Sequence, residues 1–486
     1  MKRIFFIGVL ALTSVCATAQ ETKDTGVDAV TGASPQKEAG VDGVTGASPQ
    51  KEAGAKGDSE KAKSSSAKGD SEKNEAPDGY RKFRVGGYGE VLAQFMNYGT
   101  SRFNGTPTGN TYERRNSISI PRFVIAGDYR FNKHWNVGAE IEFEAGGVGV
   151  ATEMEASENG EYETEMEKGG EVALEQFHLT YTYNRAFNVR VGHMVLPVGL
   201  TNAHHEPILF FGTMRPEGET TILPSTWHET GASIFGRVGH DYSRLSYEVY
   251  VTAGLNADGF GRDHWVADGK QGLFETDNFT SPAYTARLEY EGVPGLRLGA
   301  SYYFCNDVTA NTDKRYKYSS VGRSSLHIVS ADAQYVNKYV TARANFIWGQ
   351  LDNTRLMSSV NLSNASNYHH GAMHRIAKNA LAYGAEVGLN LKSLITCKHM
   401  PALFPFARYE YFNPQQKGEE GQTMDARCQV SKWVAGVNYF VFPYLVIKAD
   451  WSTRRIGTQR VFGGGRYNRE NEISLAVAYT GWFFKK

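Results

Sequence analysis

Four stretches of the chain carry residue types that could do chemistry. His204-His205-Glu206, and further on His369-His370 with His374, bring imidazoles and a carboxylate together at spacings a transition-metal ion could use. Loop histidines without a fixed scaffold are more commonly solvated, so no metal site and no cofactor are assigned from the sequence. Gly463-Gly464-Gly465-Arg466 has the composition of a phosphate cradle, but no strand-to-helix context follows it, and a turn is the better reading. The acidic run from Glu153 to Glu171 reads as solvated surface, with divalent cations bridging lipopolysaccharide as the alternative. No Gly-x-Ser-x-Gly elbow and no ordered nucleophile and base pair is present, so the chain reads as a non-enzyme.

The more informative charges alternate with apolar residues. Arg122, Arg190, Arg287, Glu289, Arg297, Arg343, Glu386, Arg408, Glu410, Lys448 and Asp450 each stand one position away from an apolar residue in an extended-looking segment. If the apolar partners face lipid, these charges face the interior of a barrel. There the arginines could lower the entry cost of anions, or pair with the acids to brace the wall.

The elements that must hold these charges are strands. In the last segment Ile473, Leu475, Val477, Tyr479, Gly481 and Phe483 point one way, and Ser474, Ala476, Ala478, Thr480 and Trp482 the other. The same alternation recurs at 296–302, 340–346 and 445–451. About sixteen such segments begin near residues 83, 117, 134, 171, 187, 228, 242, 280, 294, 325, 339, 380, 402, 429, 443 and 471. Short turns, as at Phe131-Asn132-Lys133, Asn184-Arg185-Ala186 and Asn337-Lys338, alternate with long polar loops, as at 99–113, 147–170 and 198–227. The connection from Leu391 to Ala402 is longer than the short-turn rim should contain.

A mean hydropathy of -0.43, with no run beyond the amino terminus near the roughly 18 apolar residues a membrane helix needs, excludes helical spanning. The 27 Tyr, 26 Phe and 52 Gly suit many aromatic-capped strands joined by turns. Every lipid-facing backbone group needs an internal partner, so a spanning sheet must close on itself. The expected fold is all-β, a transmembrane antiparallel up-and-down β-barrel of about 16 strands. Zero net charge gives no pull on nucleic acid.

Residues 1–19 read as a secretory signal peptide: Lys2 and Arg3, an apolar run, then Ala17-Thr18-Ala19 before the cut. Residues 20–79 read as a disordered low-complexity segment in which 27–40 recurs almost letter for letter at 41–54. The barrel is expected from 80 to 486. The chain is therefore expected in the bacterial outer membrane, among lipid and lipopolysaccharide.

The loop from Pro197 to Trp227 holds His204, His205, Glu206, Phe210, Phe211, Arg215, Glu217 and Glu219, and is rich in Pro and aromatic residues for a solvated loop. As the third long loop it is a candidate to fold into the lumen as a constriction; the alternatives are a cap on the rim or a contact with a neighbouring subunit.

Pro121-Arg122-Phe123-Val124-Ile125-Ala126-Gly127 and Val189-Arg190-Val191-Gly192-His193-Met194-Val195-Leu196-Pro197-Val198-Gly199-Leu200, with Phe210-Phe211 and Arg215-Pro216, resemble the phosphate-selective porin O and P family. The resemblance implies a sixteen-stranded porin, assembled as a homotrimer, that passes small anionic or polar solutes and favours anions or phosphate through inward arginines. In the third loop Arg215 stands beside three glutamates, a departure from the several basic residues such porins carry there. The runner-up reading is a non-conducting barrel that acts as an adhesin or binds partners through its long loops. A secreted carbohydrate-binding β protein is a third.

Overall fold

The computed structural model of the chain describes residues 82–97, 114–145, 150–156, 162–168, 171–202, 204–271, 276–312, 315–363, 375–395, 401–458 and 468–485. The expected signal and leader, His369, His370, His374 and Gly463 to Arg466 lie outside them.

Nineteen strands are formed: β1 (Phe83–Asn97), β2 (Arg114–Ser119), β3 (Arg122–Arg130), β4 (Trp135–Glu144), β5 (Val150–Ala156), β6 (Tyr162–Lys168), β7 (Glu171–Thr182), β8 (Asn188–Val195), β9 (His228–Val238), β10 (Leu245–Thr252), β11 (Ala283–Tyr290), β12 (Leu296–Cys305), β13 (Leu326–Val336), β14 (Val340–Leu351), β15 (Asn379–Leu389), β16 (Ala402–Lys417), β17 (Val430–Phe442), β18 (Leu445–Ile456) and β19 (Arg469–Lys485). β5 and β6 pair only with each other, as a hairpin within the acidic second loop. The other seventeen form one sheet. β2 and β3 are one barrel strand interrupted at Ile120-Pro121, since both pair with β1, Leu92 opposite Ser119 and Gly89 opposite Phe123. Proline has no N–H to give the ladder, which accounts for the break. The sheet is therefore a sixteen-stranded antiparallel barrel, closed where β1 pairs β19 from Arg84 opposite Lys485 to Asn97 opposite Asn471.

The short turns have a local cause. Asn132 Oδ1 accepts from the backbone of His134 and Trp135 at 2.9 and 3.1 Å, Asn184 from Ala186 and Phe187 at 2.7 and 2.8 Å, and Asn337 from Tyr339 and Val340 at 2.8 and 2.7 Å. Each asparagine stands in for a backbone carbonyl and turns the chain within three residues. The connection that looked too long for this rim contains a helical turn, α3 (Leu391–Leu394), after α1 (Glu217–Ile222) and α2 (Thr354–Ser363) in the long loops.

Alternation sorts the faces. On β19, Ile473, Leu475 and Val477 are exposed to between 46% and 47% while Ser474, Ala476, Ala478 and Thr480 are buried. Phe131, Trp135, Phe187, Tyr339, Phe442 and Phe483 are exposed beside the short turns, where an aromatic girdle meets the membrane interface. A closed sheet with an apolar outer belt and a polar inner wall is the architecture of a bacterial outer-membrane protein.

The interior is not wholly polar. Towards the long loops Tyr250, Tyr303, Ile328, Ile347 and Phe412 pack inside with Trp227, Phe260, Trp265 and Met357 of the loops in one buried apolar cluster. Strand alternation assigns a face but not which apolar face meets lipid; the loops supply a second apolar environment inside.

Candidate functional site

The third long loop, residues 196–227 and here called L3, runs inside the barrel and is fixed to the wall from several sides. Near its start Gly199 has a φ of +89°, and a Cβ there would strike the carboxylate of Glu219. Only glycine admits that turn. Glu219, on α1, accepts the backbone N–H of Thr201 at 2.6 Å, Asn202 at 2.9 Å and Leu200 at 3.2 Å, and Asn345 Nδ2 of β14 at 3.0 Å. Burial pushes its carboxyl up to about 7, against the pull of those bonds. The four N–H donors favour the ionised form, while burial and the nearby Asp332 carboxylate oppose it.

On the far wall Lys448 Nζ donates to the carbonyls of Pro207, Phe210 (2.7 Å) and Gly212 (2.8 Å) and lies 4.2 Å from the Phe210 ring centroid. Its neighbour Asp450 accepts Thr213 N at 2.7 Å. Arg408 donates to the Met214 carbonyl at 3.3 Å, and Glu410 accepts Gly218 N at 3.0 Å. Glu217 receives both Lys432 Nζ and Arg454 Nε at 2.8 Å. Burial would raise its carboxyl, but Arg454 and Lys432 outweigh that and hold it at about 2. Met214 remains 45% exposed beside Gln94 of β1, which bonds Glu472 of β19 at 2.9 Å. The Gln94 amide lies 3.2 Å from the Met214 sulfur, so L3 also reaches the wall of β1.

The other loop candidates serve different ends. His204 donates from Nδ1 to the Leu200 carbonyl at 3.0 Å, leaving Nε2 to accept from Arg297. Burial and the Arg297 charge hold its pKa well below the ordinary value, so the ring is neutral. His205 Nδ1 lies 3.0 Å from the Asn202 carbonyl and Nε2 lies 2.8 Å from Glu175 of β7. Burial lowers its pKa, but the Glu175 carboxylate more than reverses this, to about 9. Burial also raises Glu206. Arg215 braces L3 itself, donating to Thr226 Oγ1 (2.6 Å), Ser225 Oγ (2.9 Å) and the His205 carbonyl (3.2 Å). Burial, then Arg122, bring it down to about 10, still charged at neutral pH.

The strand cations are inward, and most have carboxylate partners. Arg122 stands 3.3 Å from Glu142 and 3.8 Å from Glu90; Arg287 grips Asp332 with both ends of its fork at 2.8 and 3.1 Å; Arg408 meets Glu410 at 2.6 Å. Arg190 bonds Thr180 at 3.3 Å over the Phe235 ring. Arg297 is 3.7 Å from Glu289. Arg343 reaches Glu386 through Nε at 3.1 Å. Arg297, Arg343 and Glu386, with His204, Leu209 and Phe210 of L3, line a cavity of about 510 Å³ that extends to Pro294 and Asn337 at the short-turn rim.

Residues not singled out from the sequence complete the site: Tyr88, Glu140, Glu142, Glu175, Asp332, Asn345, Lys432 and Arg454. A signal was present for some. Glu140, Glu142 and Glu144 alternate with Ala139, Ile141 and Phe143 on β4, the pattern that marked the arginines.

No family model matches the chain. An uncharacterized protein of Aquifex aeolicus (strain VF5) is 24% identical over 372 residues, 76% of this chain and 74% of that protein. Among solved structures, the fold is similar to OmpF of Salmonella typhi in complex with daunomycin (12% identity, TM-score 0.48, 82% of this chain and 97% of that one). It is similar to an anion-selective porin of Comamonas acidovorans (7%, 0.46, 82% and 99%) and to the outer membrane channel DcaP of Acinetobacter baumannii (13%, 0.47, 83% and 98%).

Proposed function

We propose that the protein is an outer-membrane porin, seated in lipid and lipopolysaccharide as a homotrimer, whose lumen passes small hydrophilic solutes by passive diffusion past a constriction made by L3. The observation that carries this reading is the seating of L3: it is clamped to lumen-facing side chains of β14, β16, β17 and β18, its Met214 reaches Gln94 of β1, and a cavity of about 510 Å³ lies beside it, lined by Arg297, Arg343 and Glu386. A barrel serving only as a platform for surface loops has no need of a loop bonded into its lumen. The anion or phosphate preference that the family resemblance implies rests on fewer residues than the sequence offered. Arg122, Arg287 and Arg408 are engaged by carboxylates and Lys448 by three carbonyls, so they brace the wall. Arg343 meets Glu386 through Nε, lies over the Phe211 ring of L3 and lines the cavity. With Arg297 it is where we place a weak attraction for anions.

Detergent-extracted protein in a planar bilayer should give stepwise current, and a KCl gradient should give a small reversal potential of the anion-preferring sign, reduced by phosphate. An inserted but silent barrel would overturn the porin reading and favour partner binding by the surface loops. Light scattering of the detergent complex tests the trimer.

A further inference from the structure

We infer that Glu140, Glu175 and His205 form a binding site for a first-row divalent metal ion where L3 meets the barrel wall. Glu140 comes from β4, Glu175 from β7 and His205 from L3. All three are buried, and one ligand atom of each lies within 4.8 Å of the others. One imidazole nitrogen with two carboxylate oxygens suits manganese, iron, cobalt or zinc better than calcium, which prefers oxygen alone. The sequence shows His204-His205 only as loop histidines, because the scaffold they need comes from strands some thirty and sixty residues earlier.

Each donor is oriented from behind. His205 turns Nδ1 to the Asn202 carbonyl at 3.0 Å, which fixes the ring with Nε2 towards the carboxylates; a metal ion would replace the Nε2 proton that now pairs with Glu175. Glu140 Oε2 accepts Gln176 Nε2 at 2.5 Å, and Glu175 Oε2 accepts the Tyr88 hydroxyl at 3.2 Å. Glu175 Oε1 is fully buried, and His205 Nε2 at 2.8 Å is the neighbour that offsets its charge. Two buried carboxylates this close repel, and a divalent ion seated between Glu175, Nε2 and Glu140 would hold both ionised with the imidazole neutral.

The test uses the folded full chain in detergent, stripped with EDTA and titrated with Co²⁺ alone, read by cobalt content and by the visible absorption of the ion. One Co²⁺ per chain is expected. Glu140→Gln and His205→Gln should each weaken binding at least about ten-fold, while His264→Ala, an exposed histidine paired with Asp268, should change nothing. Heat-shifted gel mobility checks that each variant is folded. Should either variant fail to fold, X-ray absorption of the wild-type Co²⁺ complex decides, with one imidazole and otherwise oxygen donors expected. No stoichiometric Co²⁺, binding that survives both substitutions, or a sulfur-ligated ion would overturn the site. None of these readouts depends on conductance, so the site and the porin reading can fail separately.

Discussion

Lys448 of β18 and Phe210 of L3 are joined twice, through the carbonyl at 2.7 Å and through the ring, whose centroid lies 4.2 Å from Nζ. All three N–H donors of the ammonium are taken by loop carbonyls, so this lysine is spent on the loop and not on a permeating anion. Lys448→Met keeps the volume but leaves those carbonyls without a donor. We expect a loss of about 3 kcal/mol in the seating of L3, seen as a larger and noisier single-channel conductance. Unchanged conductance would mean that L3 is held without this contact.

Glu217 makes the seating sensitive to acid. Its carboxyl is held at about 2 in the folded protein against an ordinary 4.5. A lowered carboxyl stabilises above its unfolded pKa and loses that contribution as pH falls, here between about 4.5 and about 2. With the side chain one-fifth exposed, the contribution is on the order of 2 kcal/mol. Conductance should become noisier on acidification through that window, and Glu217→Gln should show the noise already at neutral pH.

Bracing and guidance separate at two arginines. Asp332→Asn breaks the fork of Arg287 and should lower the unfolding midpoint, a cost of about 3 kcal/mol, without moving the reversal potential. Arg343→Gln also breaks a buried ion pair, with Glu386, and should cost stability too, but in addition it should shift reversal in a KCl gradient towards cations. A selectivity change in Asp332→Asn would place guidance in the braced wall instead.

The lipid face is tested on β19. Val477→Arg puts a charge into the apolar belt and should destabilise the barrel by about 2 to 4 kcal/mol, whereas Ala476→Ser, on the buried inner face beside Ser474, should cost under about 1 kcal/mol. Chemical unfolding in detergent or lipid compares the two; equal costs would contradict the assignment of faces.

Much of the barrel was legible because a strand of period two writes its two faces into consecutive letters. Val340 to Phe346 shows this, with Thr341, Arg343 and Asn345 inward as the alternation requires. Local chemistry also fixed the turns at Asn132, Asn184 and Asn337. The seating of L3 was only half legible. Its Pro and aromatic content marked a loop that packs, but its partners Lys448, Lys432 and Asn345 lie more than a hundred residues away, and no local pattern encodes that meeting. The same holds for Ile347 and Phe412, apolar residues that face loops inside the barrel. Composition cannot tell lipid from a neighbouring tryptophan.

Trp227 at the end of L3 belongs to the same packed cluster as Trp265 of the following long loop and Met357 of α2. The long-loop rim is therefore not independent of L3, since its loops and the end of L3 share one packed interior. Positions such as Tyr316, 79% exposed, can change identity with little consequence, but a substitution at Trp265 would also disturb the seating of L3 below it. In the porin reading proposed above, whatever reshapes that part of the rim also reshapes the passage.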